Sequence, residues 1–124
     1  MSQELKDTVA RYLRHLQNQE WEGARALFTA DATVWNNNDG TSVRIDEHLR
    51  GLREASAGVR STRYELTRQL AKPREVIAQH VAHVTAADGS RGRVNAAMYY
   101  RFDDGLIARV EEYRTFVPDT TASA

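Results

Sequence analysis

Glu112 is the residue whose neighbours best suit it to moving a proton. It lies in an alternating stretch and shares parity with Ala108, Val110 and Phe116, which predicts a carboxylate on a buried strand face. Loss of water raises a carboxyl pKa and suits it to general acid or base work, unless an opposite charge pairs with it. Arg114 or a cavity-facing Arg68 would supply that structural ion pair instead. His80 is a second candidate, because imidazole exchanges protons near neutral pH without help. It goes with Val76, Ala78, Ala82 and Val84 on the more apolar face, and His83, three residues on, takes the other. A buried His80 satisfied by its neighbours is the competing possibility. His15 and His48 fall on helices beside charged residues and are expected in solvent.

Other side chains suit binding more than chemistry. Trp35, Asn36 and Asn37 sit where a short strand enters the turn-forming run Asn36 to Gly40, at the expected mouth of a cavity. Asparagines bonding their own backbone would explain the same cluster. Tyr64, Met98 and Tyr100 read as cavity wall or plain core, and Tyr12 lies on the core stripe of the first helix. A cavity lined by Met, Tyr and Trp implies a mostly apolar, aromatic-tolerant ligand.

The elements that must position these residues change period near Gly58. Before it, Leu5, Val9, Tyr12, Leu13 and Leu16 recur at helical spacing, and Trp21, Ala24, Leu27 and Phe28 mark a shorter second helix. Residues 32–35 read as a strand, and Ile45, Leu49 and Leu52 as a third helix ended by Gly58. After it the period is two: Thr62, Tyr64, Leu66 and Leu70 alternate with polar residues up to Pro73, and residues 76–86 follow. Asp88-Gly89 and Asp104-Gly105 are hairpin dipeptides joining the last strands. The expected fold is α+β: a cone-shaped, curved antiparallel sheet closed by three N-terminal helices around a central pocket. One domain spans residues 1–118, with a fraying tail over 119–124.

Composition removes several function classes. Seventeen Lys plus Arg balance seventeen Asp plus Glu, so nothing suggests a nucleic-acid or anionic-membrane partner. No apolar run approaches the roughly 20 residues of a membrane span, and the N-terminus lacks a secretory layout, so a cytoplasmic location is expected. There is no cysteine, and the four histidines lack zinc-protease spacing. Neither metal nor cofactor is expected.

The stretches Ala10-Arg11-Tyr12-Leu13, Glu22 to Phe28, Asp31 to Val34, and Tyr100 to Ile107 through Glu112-Tyr113 together carry a resemblance. They resemble the nuclear-transport-factor-two-like superfamily, which includes ketosteroid isomerases, SnoaL-type polyketide cyclases and limonene-epoxide hydrolases. The resemblance implies an oxyanion-donor role for Tyr12. It also sets Asn36 and Met98 where the isomerase keeps its two aspartates, which excludes the usual isomerase mechanism. Glu112 falls where cyclases and hydrolases carry a catalytic acid, and Trp35 and Asn37 fall on the hydrolase's water-binding pair, while its Arg-x-Asp is missing from Gln79 to His83. The implied function is acid/base chemistry on a hydrophobic small molecule (isomerisation, cyclisation or epoxide opening) by Glu112 with Tyr12 or His80. The alternative is a non-catalytic binding or dimerisation module. A homodimer through the outer sheet face, with Tyr99 and Tyr113 at its centre, is also implied.

Overall fold

A computed structural model describes residues 2–119. The chain order is α1 (Ser2–Gln17), α2 (Trp21–Arg25), β1 (Phe28–Asn36), β2 (Ser42–Arg44), α3 (Ile45–Ala55), one 3₁₀ turn (Ser56–Gly58), β3 (Val59–Lys72), β4 (Glu75–Ala86), β5 (Arg91–Asp103) and β6 (Leu106–Pro118). Six strands form one curved, unclosed sheet in the order β2-β1-β6-β5-β4-β3, with the helices on its concave side. Of the tail expected over 119–124, all but Asp119 lies outside the described residues.

The sheet is not wholly antiparallel, which corrects the expectation. β3 to β6 form the anticipated meander, but β1 pairs parallel to β6, with Val34 opposite Val110 and Asn36 opposite Glu112. Parallel neighbours cannot be joined by a hairpin. Here the connection is α3 and the whole meander, so local turn residues could not reveal it. β2, only three residues long, was also not foreseen. The second helix stops at Arg25 because the chain turns at residues 26–27 and Phe28 already enters the sheet, and α3 stops at Ala55, tightening into a 3₁₀ turn that ends at Gly58.

Of four register slips in the sheet, two reset which side chains face inward. The β3–β4 register slips between Leu66 and Arg68, so Thr62, Tyr64 and Leu66 face the helices but Leu70 faces out, 67% exposed. That corrects the predicted face of Leu70, and it also puts Arg68 in solvent, away from Glu112. A second slip follows Arg101, which lets Ile107 and Ala108 both be buried. An extra residue of this kind turns a strand and increases its twist. In the Asp104-Gly105 turn both residues have positive φ, as a tight two-residue hairpin loop requires.

The core joins Val9, Tyr12 and Leu13 of α1 and Ile45 and Leu49 of α3 to Val34, Val76, Ala96, Met98, Tyr100, Phe102 and Val110 of the sheet. Arg25 locks the helical side together. Its Nε donates to Asp46 Oδ1 at 2.7 Å, and its other nitrogens donate to the carbonyls of Thr29 and Ala30 at 3.2 Å each. α2, β1 and the first turn of α3 are thereby tied at one point, which sets the direction in which α3 points its inner face.

Candidate active site

β6 carries Glu112 inward beside Met98 of β5 and Asn36 of β1, and the carboxylate is 6% exposed. Asn37 holds this stretch of strand from just beyond the end of β1. Its N–H donates to the Glu112 carbonyl (3.0 Å), and its side-chain oxygen accepts from the Arg114 N–H (2.9 Å). The two residues that bring charge to the interior are thus fixed by one asparagine.

Around the carboxylate stand His48, from α3, and Arg114, from β6. His48 Nε2 lies 3.5 Å from Glu112 Oε2, and Arg114 Nε lies 3.7 Å from Oε1. Both distances exceed those of good hydrogen bonds. His48 Nε2, His80 Nδ1, Glu112 Oε1 and Arg114 Nε are all buried without a hydrogen-bond partner among the described residues. Buried polar atoms normally find partners, and these four border one space. That space is a cavity of about 140 Å³ between α1, α3 and the sheet, walled otherwise by Leu13, Val94, Ala96 and Met98.

Burial dominates the electrostatics. It pushes the Glu112 carboxyl up from its ordinary value, with the Arg114 cation pulling the other way. Burial, reinforced by Arg114, takes His48 down to about 4, and burial alone takes His80 to about 4. Both histidines are therefore neutral at pH 7. Tyr12 is pushed well above its usual value by burial and by Glu112, and Tyr64 to about 12, so both phenols stay protonated donors. The result is a carboxylate reluctant to carry charge, one neighbouring cation, and neutral rings and phenols that can donate or relay a proton.

The candidate residues separate into three groups. Glu112, Tyr12, His80, Tyr64 and Met98 all border the cavity, with the Tyr64 and His80 rings edge to face at 5.4 Å. His83 points outward to Glu65 at 2.9 Å. Tyr100 is fully buried core behind Tyr12, ring centroids 6.5 Å apart, and does not border the cavity. Trp35, Asn36 and Asn37 do not border it either. Trp35 alternates with buried Val34, so it lies on the convex face and packs on Tyr113 at 5.1 Å. Asn36 spends its side-chain oxygen on the N–H groups of Asn38 and Asp39, the turn role that competed with binding. Phe116, expected on the inner face with Glu112, is 57% exposed.

His48 is the main residue missed. It was expected in solvent, yet its side chain is only 10% exposed. The signal was present: Ile45, His48, Leu49 and Leu52 stand at i, i+3, i+4 and i+7, one helical stripe. Charged Glu47 and Arg50 beside it in sequence are not beside it on the helix.

The SnoaL-like domain model matches residues 9–110, and the chain belongs to that family. Among solved structures it is similar to an LEH-like epoxide hydrolase from M. tuberculosis (19% identity, 92% of this chain and 84% of that one, TM-score 0.78). It is also similar to a candidate ketosteroid isomerase from Kribbella flavida (19%, 92% and 79%, TM-score 0.73). A third likeness is to IdmH, a candidate polyketide cyclase from Streptomyces antibioticus (16%, 89% and 91%, TM-score 0.80). No curated protein sequence matches the chain. The family's relatives thus include isomerases, cyclases and epoxide hydrolases. Among the described residues no cluster of three His, Cys, Asp or Glu side chains could hold a metal ion, and no helix is long and apolar enough to cross a membrane.

Proposed function

We propose that this protein is an acid/base catalyst acting on a small, largely apolar molecule, with Glu112 as the proton-transferring group. The observation that carries the proposal is the buried carboxylate with one unpartnered oxygen on an apolar cavity, between His48 and Arg114. Glu112 takes a proton from carbon or from water. Tyr12 or His80 donates to the oxygen on which charge develops, and fixed donors aimed at that oxygen stabilise it. Isomerisation, cyclisation and epoxide opening all use these two roles, and each is named among the relatives.

The test combines α-proton exchange of small cyclic and aryl ketones in D₂O, followed by proton NMR, with hydrolysis of terpene epoxides. Glu112→Gln should slow whichever reaction is found by about 10²-fold or more, the usual contribution of a positioned general base. An unchanged rate refutes the assignment.

The convex sheet face favours a further element of the proposal, a homodimer. Trp35 and Tyr113 pack together there, Leu70 and Ile77 stand exposed, and Tyr99 joins them with its hydroxyl on Glu75 at 2.8 Å. Tyr113→Glu should convert a dimer to monomers in sedimentation, and a wild-type chain that sediments as a monomer removes this element. The non-catalytic reading draws on Asn36 and Met98, where the isomerase would hold carboxylates. It prevails if ligands bind the cavity and none is turned over.

A further inference from the structure

The cavity has a second chamber. A space of about 120 Å³ lies against the first, and the two share Leu16, Leu52, Val59, Thr62 and Tyr64 as common walls. Their chemistry differs. The inner chamber holds Glu112, Arg114, His48 and His80, whereas no charged side chain borders the outer one among the described residues, where Gln19, Trp21, Ala55 and Ser56 complete the lining.

Size and charge then constrain the occupant. An apolar cavity of about 150 Å³ takes one benzene. The inner chamber at about 140 Å³ therefore holds a head near the size of one six-membered ring, and the outer holds slightly less. A tetracyclic skeleton exceeds both together. In the inner chamber the Glu112 and Arg114 charges offset each other, so a charged head would bring an uncompensated charge among mostly apolar walls. The orphaned Arg114 Nε and the Tyr12 and Tyr64 hydroxyls supply donors, which ask for an acceptor oxygen on the head.

We infer that the substrate is a neutral two-part molecule: a one-ring head bearing a carbonyl or similar acceptor oxygen in the inner chamber, and a short apolar tail running past Leu52 toward Trp21. This rests on the proposed acid/base function and adds the shape and charge of its substrate. It narrows the ligand from any hydrophobic small molecule to one of about two ring equivalents.

The experiment is calorimetric titration of the full chain at pH 7 with phenyl alkyl ketones from acetophenone to octanophenone. A phenylalkanoate of matching length and a tetracyclic steroid ketone complete the panel. Affinity should rise up to about four-fold per added methylene, the gain from removing one CH₂ from water, and then level off as the outer chamber fills. The carboxylate and the steroid should bind at least ten-fold more weakly than the best ketone. Ser56→Trp and Ala55→Trp, the second on an exposed helical position, should each flatten the chain-length slope by filling the outer chamber. A flat wild-type series, a slope that survives both variants, or tighter binding of the steroid or the acid overturns the inference. A sloped series with neither ketone exchange nor epoxide hydrolysis leaves the two chambers standing and sinks the catalytic proposal. Catalysis without a slope does the reverse; ketones that fail to bind sink the inference, and sink the catalytic proposal as well if no epoxide is hydrolysed.

Discussion

Replacing Arg114 with Met removes the one cation beside Glu112 while keeping an apolar stem of similar length. At the observed 3.7 Å, a unit charge pair is worth about 1 kcal/mol at the dielectric of water and about 4.5 kcal/mol at an effective dielectric of 20. The Arg114 side chain is 37% exposed, so solvent screens it and the lower figure applies. That corresponds to a little under one pH unit, at 1.36 kcal/mol per unit, roughly. The cation holds both Glu112 and His48 down, so the substitution should move both titrations upward. Carbon-13 NMR of the Glu112 carboxyl and proton–nitrogen spectra of the His48 ring would follow the two groups in wild type and variant. A midpoint for Glu112 that stays put or falls would refute the electrostatic account, because nothing else described near the carboxylate opposes its burial.

Glu112 and the histidines should act on stability in opposite directions. Since burial raises the Glu112 pKa, the fold favours its protonated form, and this contribution is lost as pH rises through the folded value. Glu112→Gln should therefore raise the melting temperature at pH 7, with the gain shrinking toward pH 4; a lower melting temperature at pH 7 contradicts it. His48 and His80 are depressed from 6.5 to about 4, so their contribution is complete above pH 6.5 and is lost as pH falls toward 4, on the order of 3 kcal/mol each. Chemical denaturation of His48→Gln and His80→Gln across that window should show a weaker acid dependence than wild type. Asn37→Ala should cost about 1 kcal/mol of stability through the lost hydrogen bond to β6. It should also weaken ketone binding while leaving the chain-length slope unchanged, because it moves Glu112 and Arg114 without touching the outer chamber.

The helices, the meander and the inward faces of Glu112 and His80 were legible because each rests on a local period. Leu70 and Arg68 were not, since the slip after Leu66 reverses parity in mid-strand without a Gly or Pro to mark it. The parallel β1–β6 pairing was equally silent, being set by packing between segments 76 to 79 positions apart in the sequence. Trp35 teaches a different lesson. Buried Ala32 and Val34 already put it on the outer face by simple alternation. The analogy with an aromatic and an asparagine two apart drew it inward. Asn37, on the same parity, reaches the site after all, through the backbone of the strand that carries the acid. His48 was legible too, had the helical stripe been extended to a polar residue.

The position of β6 has a consequence for how the molecule is made. This strand slots between β1, earlier in the chain, and β5, so the sheet cannot be finished until β6 itself has emerged. A ribosome paused short of Leu106 would leave two open edges, each able to recruit a stray strand from another nascent chain. Glu112 and Arg114 arrive on the same inserting segment, so the two opposite charges enter the interior together, and neither waits there alone.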